Sequence, residues 1–204
     1  MQELPPELVK ELGIVLIALI GCVGAGLKWG LPRFLEFLEK RLSEKTKRGV
    51  QDIQEVYNIM DEILEDTSAD RVIQFVGHNS GGIPRVGAAF YCTAIRWRLK
   101  DRPEKKAGID LSDYLKVPVG NEYIGMLLNA EKNGSYRFTT ENEPECQLKG
   151  YYKIEGVTDS VIVFLKIKER HFHYMSIATF SEEGLTEEDI MIINLKVARI
   201  RQLV

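Results

Sequence analysis

Cysteine, histidine and tryptophan are scarce in this 204-residue chain, at three, three and two residues. Cys22, Cys92 and Cys146 are too few and too scattered for a disulfide framework, and they fit a reducing compartment. His78, His171 and His173 match no zinc-ligand spacing. The sequence has no HExxH, no nucleophile elbow, no paired carboxylates in a telling context, no GxGxxG and no Walker loop. That removes the readable signatures of metalloprotease, hydrolase and nucleoside-triphosphate chemistry, and the chain is expected not to be an enzyme. No basic patch is interleaved with aromatic residues, so nucleic acid is not an expected partner. Repeats and low-complexity segments are also missing.

One long apolar run is present. Gly13–Leu27, GIVLIALIGCVGAGL, carries no charge over fifteen residues. With Leu12 added, Lys28 snorkelling and Trp29, Gly30 and Leu31 in the far interface, it reaches Leu12–Leu31, enough for one bilayer crossing of about 20 residues. The alternatives are a buried or interfacial helix and a cleaved signal peptide. The signal reading lacks a basic start, because Glu3, Glu7 and Glu11 outnumber Lys10. Lys28, Arg33, Lys40, Arg41, Lys45, Lys47 and Arg48 follow the run, so the positive-inside bias puts the C-terminal part in the cytoplasm and the N-terminus outside an inner or plasma membrane. The basic segment suits lipid head groups. Ala18, Cys22 and Gly26, like Gly21 and Ala25, are spaced four apart, as in faces that let membrane helices dimerise; glycine is also simply common in such helices.

The expected domains are a tail over 1–11, a transmembrane helix over 12–31, a basic juxtamembrane helix or linker over 32–49, and one folded domain over 50–204. Within the last, Val50, Ile53, Val56, Tyr57, Met60, Ile63 and Leu64 recur at helical spacing. Arg71–Gly77 reads as a strand, His78–Pro84 as a loop, and Val86–Leu99 as a long strand or a bent pair. Asp101–Gly108 is a charged turn. A helix is expected near Glu122–Ala130 and a strand over Ser135–Thr140. Glu141–Cys146 reads as an acidic loop, and Gly150–Gly156 is ambiguous between helix and strand. Val161–Ile167 and Phe172–Thr179 are strands joined at Lys168–Arg170. A last helix follows Thr186, which forms a capping-box pattern with Asp189. The order predicts an α+β fold: an antiparallel sheet of five to six strands with the N- and C-terminal helices on one face.

Two passages, YNIMDEILEDTSADRVIQFVGHNSGG and YKIEGVTDSVIVFLKIKERHFHYMSIATFSEEGLTEEDIMIINLKVARIRQLV, resemble the two halves of a GAF domain of the GAF/PAS sensor superfamily. Gly156, Ser160, Phe180, Thr186 and Asp189 stand at the turn, strand and helix-start points of that pattern. The chain has no chromophore-type cysteine motif and no NKFDE signature, and the hairpin HFHYMSIATF lacks a glycine before the last strand. The resemblance implies a sensory or ligand-binding module without an output domain. Such a module acts through a protein partner or through a homodimer of its terminal helices. The alternatives are a membrane-tethered structural or adaptor protein whose domain binds only protein, and an unrecognised enzyme, which a deep polar pocket holding His78 next to a carboxylate would favour. The cofactor is unknown.

The candidate ligand-binding residues are the loop His78, Asn79, Ser80, Gly81 and Gly82, whose glycines and amides could cup an anion, and Arg96 and Arg98. A polar turn fixed by His78 is the plainer reading of the loop. On a strand Trp97 points away from Arg96 and Arg98, so the arginines are surface if Trp97 is core, and meet an anionic ligand if they line a pocket. His171 and His173 share one strand face and are expected to be exposed on a hairpin.

Overall fold

The computed structural model describes residues 39–41, 43–44, 46–78, 83–100 and 114–204. The run Leu12–Leu31, the loop residues Asn79–Gly82 and the charged turn Asp101–Gly108 lie outside them. Among the described residues, no helix is long and apolar enough to cross a membrane. The chain divides into two units, Met1–Gln51 and Asp52–Val204. In the first, residues 46–51 are helical.

The second unit opens with helix α1, residues 52–66. Val56, Ile59, Met60, Ile63 and Leu64 of α1 are buried, the i, i+3, i+4 stripe of a helix laid against a core. Strands β1 (Arg71–His78), β2 (Tyr91–Leu99) and β3 (Val117–Pro118) follow, then helix α2 (Asn121–Asn133), strand β4 (Ser135–Thr139) and helix α3 (Gln147–Glu155). Strands β5 (Asp159–Lys168) and β6 (His171–Thr179) and helix α4 (Glu187–Leu203) complete the unit. The six strands form one sheet in the order β3-β2-β1-β6-β5-β4, and every neighbouring pair is antiparallel. This is the expected α+β class with its sheet of five to six strands.

Each face of the sheet carries its own core. On one, α1 and α4 bury Ile59, Ile63, Ile193 and Val197 against Val72, Val161, Met175 and Ile177. The terminal helices therefore share one face, as the sequence implies. Outer ion pairs join them: Lys196 to Glu62 and Asp66 at 2.8 and 2.7 Å, and Arg199 to Glu55 and Glu62 at 3.0 and 2.8 Å. The capping box forms: the Thr186 side chain accepts from Asp189 N–H, and the Asp189 carboxylate accepts from Thr186 N–H. That carboxylate also takes the Ser68 hydroxyl at 2.5 Å, so the start of α4 is tied to the end of α1. On the other face, α2 and α3 cover Phe75, Phe138, Ile162, Phe172 and Tyr174.

Three local expectations change. Val86–Leu99 is not a continuous strand: residues 86–88 turn through Gly87 at φ 83°, and β2 starts only at Tyr91. The ambiguous stretch before Gly156 is helical, and α3 ends because Gly156 adopts φ 74° and donates its N–H to the Tyr152 carbonyl. The β5–β6 hairpin turns on Glu169 and Arg170, both at positive φ (50° and 66°). Two such residues make the turn that matches strand twist, and neither is a glycine or an asparagine that would advertise it.

Candidate functional site

Alternation along β1 sends Arg71, Ile73 and Phe75 to the α2/α3 face and Val72, Gln74, Val76 and His78 to the α1/α4 face. On the first of these faces the sheet and the two helices leave a cavity of about 450 Å³. Phe75, Cys92, Tyr174 and Ser176 of the sheet, Tyr123 of α2, and Leu148, Tyr151 and Tyr152 of α3 line it, as do Arg71, Tyr114 and Glu155.

Arg71 is 1 % exposed. Its Nη1 meets Glu155 Oε2 at 2.6 Å and donates to the Tyr114 hydroxyl at 3.1 Å. The Tyr114 hydroxyl in turn donates to Glu155 Oε1. The guanidinium lies 5.8 Å from the ring centres of Tyr114 and Tyr152 and 6.0 Å from that of Phe180. Burial works against its charge, but Tyr114, Tyr152 and Glu155 outweigh burial and hold Arg71 above its ordinary pKa. Glu155 sits in the last turn of α3, where the helix dipole disfavours a carboxylate, so the buried guanidinium supplies the compensating charge. Arg71 Nε, in contrast, is buried without a hydrogen-bond partner.

Neutral polar groups complete the lining. Tyr123 donates to the Tyr174 hydroxyl at 3.1 Å, and the Tyr152 hydroxyl lies 3.2 Å from both Ser176 Oγ and Ser160 Oγ. Burial pushes the Tyr114, Tyr123 and Tyr174 phenols above their usual range, and pushes the Cys92 thiol up to about 12. Phe75 and Tyr174 stack at 5.1 Å with their planes 11° apart. The arrangement suits binding: aromatic walls, one internal ion pair, protonated phenols and an unreactive thiol.

The residues singled out in the sequence lie elsewhere. His78 ends β1 on the α1/α4 face, with Nε2 2.9 Å from Thr93 Oγ1 and its ring 6.0 Å from that of His171. Burial first, then His171 and Lys116, lowers its pKa. Asn79, Ser80, Gly81 and Gly82 are outside the described residues. Arg96 and Arg98 pair with Gln74 and Val72 across the β1–β2 ladder, which puts them on the face opposite the cavity. Arg96 donates to Gln74 Oε1 at 2.8 Å. Arg98 meets Asp61 at 2.7 Å and lies over the Tyr57 ring at 4.1 Å. Trp97 takes the other face and is 39 % exposed.

His171 and His173 both depart from the exposed-hairpin expectation, being half-buried; the His173 Nδ1 is buried without a partner among the described residues, and burial takes its pKa down to about 4. Among the described residues, no group of three His, Cys, Asp or Glu side chains is placed to hold a metal ion.

No family model matches the sequence, and no curated protein matches it. Solved structures do match in shape. A far-red cyanobacteriochrome photoreceptor superposes with a TM-score of 0.51 at 9 % identity, over 82 % of this chain and 96 % of that one. The GAF domain/HD domain protein from Geobacter sulfurreducens superposes with a TM-score of 0.50 at 9 % identity, over 74 % of this chain and 90 % of that one. At that identity the likeness is one of fold, and the fold is GAF-like.

Proposed function

We propose that this chain is a membrane-anchored sensory module whose GAF-like domain binds a small molecule on the α2/α3 side of its sheet. The observation that carries the reading is the cavity of about 450 Å³ walled by Phe75, Tyr123, Tyr151, Tyr152 and Tyr174. Pockets of roughly 300–1,000 Å³ with mostly apolar walls and a few convergent polar groups are typical small-molecule sites. The fold is shared with a photoreceptor, which is consistent with a sensory role.

The apolar run Leu12–Leu31 and the basic residues after it support a single crossing with the domain on the cytoplasmic side. Binding without catalysis is supported by the lining. Glu155 is engaged by Arg71 and Tyr114, and Cys92, with its thiol near 12, is no nucleophile at neutral pH. Output through a partner or a homodimer is supported by Met191 and Leu195, one turn apart on α4 and 66 % and 71 % exposed. The adaptor reading needs a filled sheet face, and the cavity weighs against it.

Native mass spectrometry of the full chain, purified from its native host in detergent micelles, tests the proposal. The expected result is a mass adduct that is lost or weakened in Leu148→Trp, which puts a larger side chain into the cavity, and kept in His78→Ala, on the opposite face. A protein that carries no adduct would turn the reading to the adaptor.

A further inference from the structure

Given the membrane anchor proposed above, we propose that the β5–β6 hairpin end of the sheet is a second contact with the bilayer, a cationic surface that meets anionic lipid head groups. Strand pairing gathers the cations. Lys166 and Lys168 of β5 stand opposite His173 and His171 of β6. His173 is also opposite Val76 of β1, and Arg96 of β2 is opposite Gln74. Val76 and Gln74 share the parity of Val72, so these side chains lie on the α1/α4 face. Arg170 is in the turn between β5 and β6, and the His78 ring stands 6.0 Å from that of His171.

The α1/α4 face changes character along its length. Val72, Val161, Met175 and Ile177 are aliphatic and buried. Towards the hairpin, Lys166, His171 and His173 are only half-buried, and Lys168 and Arg170 are exposed.

The charge at this end is unbalanced. Arg98, Arg137, Lys196 and Arg199 all pair with carboxylates. Among the described residues, Arg96, Lys116, Lys166, Lys168 and Arg170 take part in no such pair. Burial and then Lys168 lower the Lys166 pKa, and burial, His171 and Lys116 lower that of His78; among the described residues no carboxylate acts on either. Glu169 in the turn and Asp52 at the start of α1 leave the end positive. A surface of this kind gains by meeting fixed negative charge.

The direction of the chain favours a bilayer over a soluble anion. Lys196 of α4 reaches Asp66 of α1, and Arg199 reaches Glu55, so the two helices are antiparallel. Near the end of α4, Arg201 Nε donates to the Phe164 carbonyl at 2.8 Å, two residues before Lys166. The start of α1 is therefore at the hairpin end. The sequence before it carries Lys40, Arg41, Lys45, Lys47 and Arg48, and before those the apolar run. Residues 32–51 span at most about 70 Å even when fully extended, which keeps this end of the sheet within reach of the membrane.

The test places the full chain in lipid nanodiscs, either phosphatidylcholine alone or with about 30 % phosphatidylglycerol. Lysines are acetylated with N-hydroxysuccinimidyl acetate and read by peptide mass spectrometry. The expected result is that Lys166 and Lys168 react about threefold more slowly in the anionic discs, and that about 0.5 M KCl removes the difference. Lys132, exposed on α2 across the sheet, should react equally in both. Lys168→Glu combined with Arg170→Glu should abolish the protection of Lys166 while Lys40, in the basic segment, stays protected. Lys168→Gln with Arg170→Gln replaces that variant if it fails to fold by circular dichroism.

Equal rates at Lys166 and Lys168 in the two discs overturn the proposal and leave the anchor standing, as does protection of Lys166 that survives the double variant. If poly-L-glutamate protects Lys166 in neutral discs and phosphatidylglycerol does not, the surface meets an acidic protein segment and the lipid proposal is overturned. A chain that enters neither disc on size exclusion removes the anchor, and this contact with it.

Discussion

The two faces of the sheet are built from different chemistry. The face under α1 and α4 is closed by aliphatic side chains: Val, Ile, Leu, Met and Ala make up its whole buried cluster. The face under α2 and α3 is aromatic, with Phe75, Phe90, Phe138, Tyr152, Phe172 and Tyr174 in its cluster, and it contains the cavity. Branched aliphatic groups interdigitate between helix and sheet and fill space. Large flat rings with polar tips are held at angles by hydrogen bonds and edge contacts, as Phe138 and Tyr152 are at 87°, and such packing can frame a hollow. Charge divides the same way. On the aliphatic side Lys196, its side chain 13 % exposed, and Arg199, 48 % exposed, pair with α1 carboxylates along the edge of the helix pair. On the aromatic side a guanidinium is carried inside. One face holds the domain together and the other has room to bind.

If the division is real, the heaviest damage follows from cutting the aliphatic face. Ile63→Ala removes a fully buried side chain from between α1 and the sheet and should destabilise the domain by roughly 2–5 kcal/mol. Chemical denaturation monitored by circular dichroism reads this directly. A loss under about 1 kcal/mol, the range of a surface substitution, would mean that this face is not the main support.

Overpacking the aromatic face comes next. A Cβ on Gly77 would stand 2.2 Å from Phe90 Cζ, and Phe90 is 2 % exposed. Gly77→Ala therefore forces that ring to shift, at a cost of about 1–3 kcal/mol. Gly77→Ala combined with Phe90→Leu should recover part of the loss. If the single variant is neutral, the aromatic face is looser than its packing implies.

A smaller effect tests what anchors the aliphatic side. Burial alone would raise the Asp189 pKa, but hydrogen bonds from Ser68 and Thr186 outweigh it and hold the carboxyl below the usual range. A depressed folded pKa gives stability that is present above the unfolded value of about 4 and lost as pH falls through the folded one. Asp189→Ala should cost about 1–2 kcal/mol at pH 7. The gap between variant and wild type should close as the pH is taken below about 4 in parallel denaturation series. A gap that stays constant down to pH 2 would remove the charge from the explanation.

The same contrast explains what could be read in the sequence. The aliphatic side was legible because its signals are local and periodic: the α1 stripe from Val56 to Leu64, the runs of β5 and β6, and the Thr186–Asp189 cap. The opposite projection of Trp97 and the flanking arginines also followed from alternation alone. The cavity was hidden because its parts are distant in the chain. Arg71 and Glu155 are 84 residues apart, and the helix that carries Glu155 is only nine residues long. A charged residue opening a strand looks like surface, yet Arg71 shares its parity with Ile73 and Phe75, and that was the available signal. His78 stands close to the Gly81–Gly82 pair, which makes the segment conspicuous in the sequence. Parity with Gln74 and Val76 puts it on the other side of the sheet.

The gentlest probe changes no packing at all and compares two thiols. Cys92 lies on the cavity face, 2 % exposed, with its thiol pushed up to about 12 by burial. Cys146, which precedes α3, is half-buried. Alkylation proceeds through the thiolate, so at pH 8 Cys92 is disfavoured twice, by access and by ionisation. Iodoacetamide labelling followed by peptide mass spectrometry should modify Cys146 well before Cys92, and mild urea below the unfolding transition should leave the order unchanged. Labelling of Cys92 at the rate of Cys146 in native buffer would mean that α2 and α3 open from the sheet often enough to expose the thiol. The aromatic face would then be a mobile cover, and the cavity one frame among several.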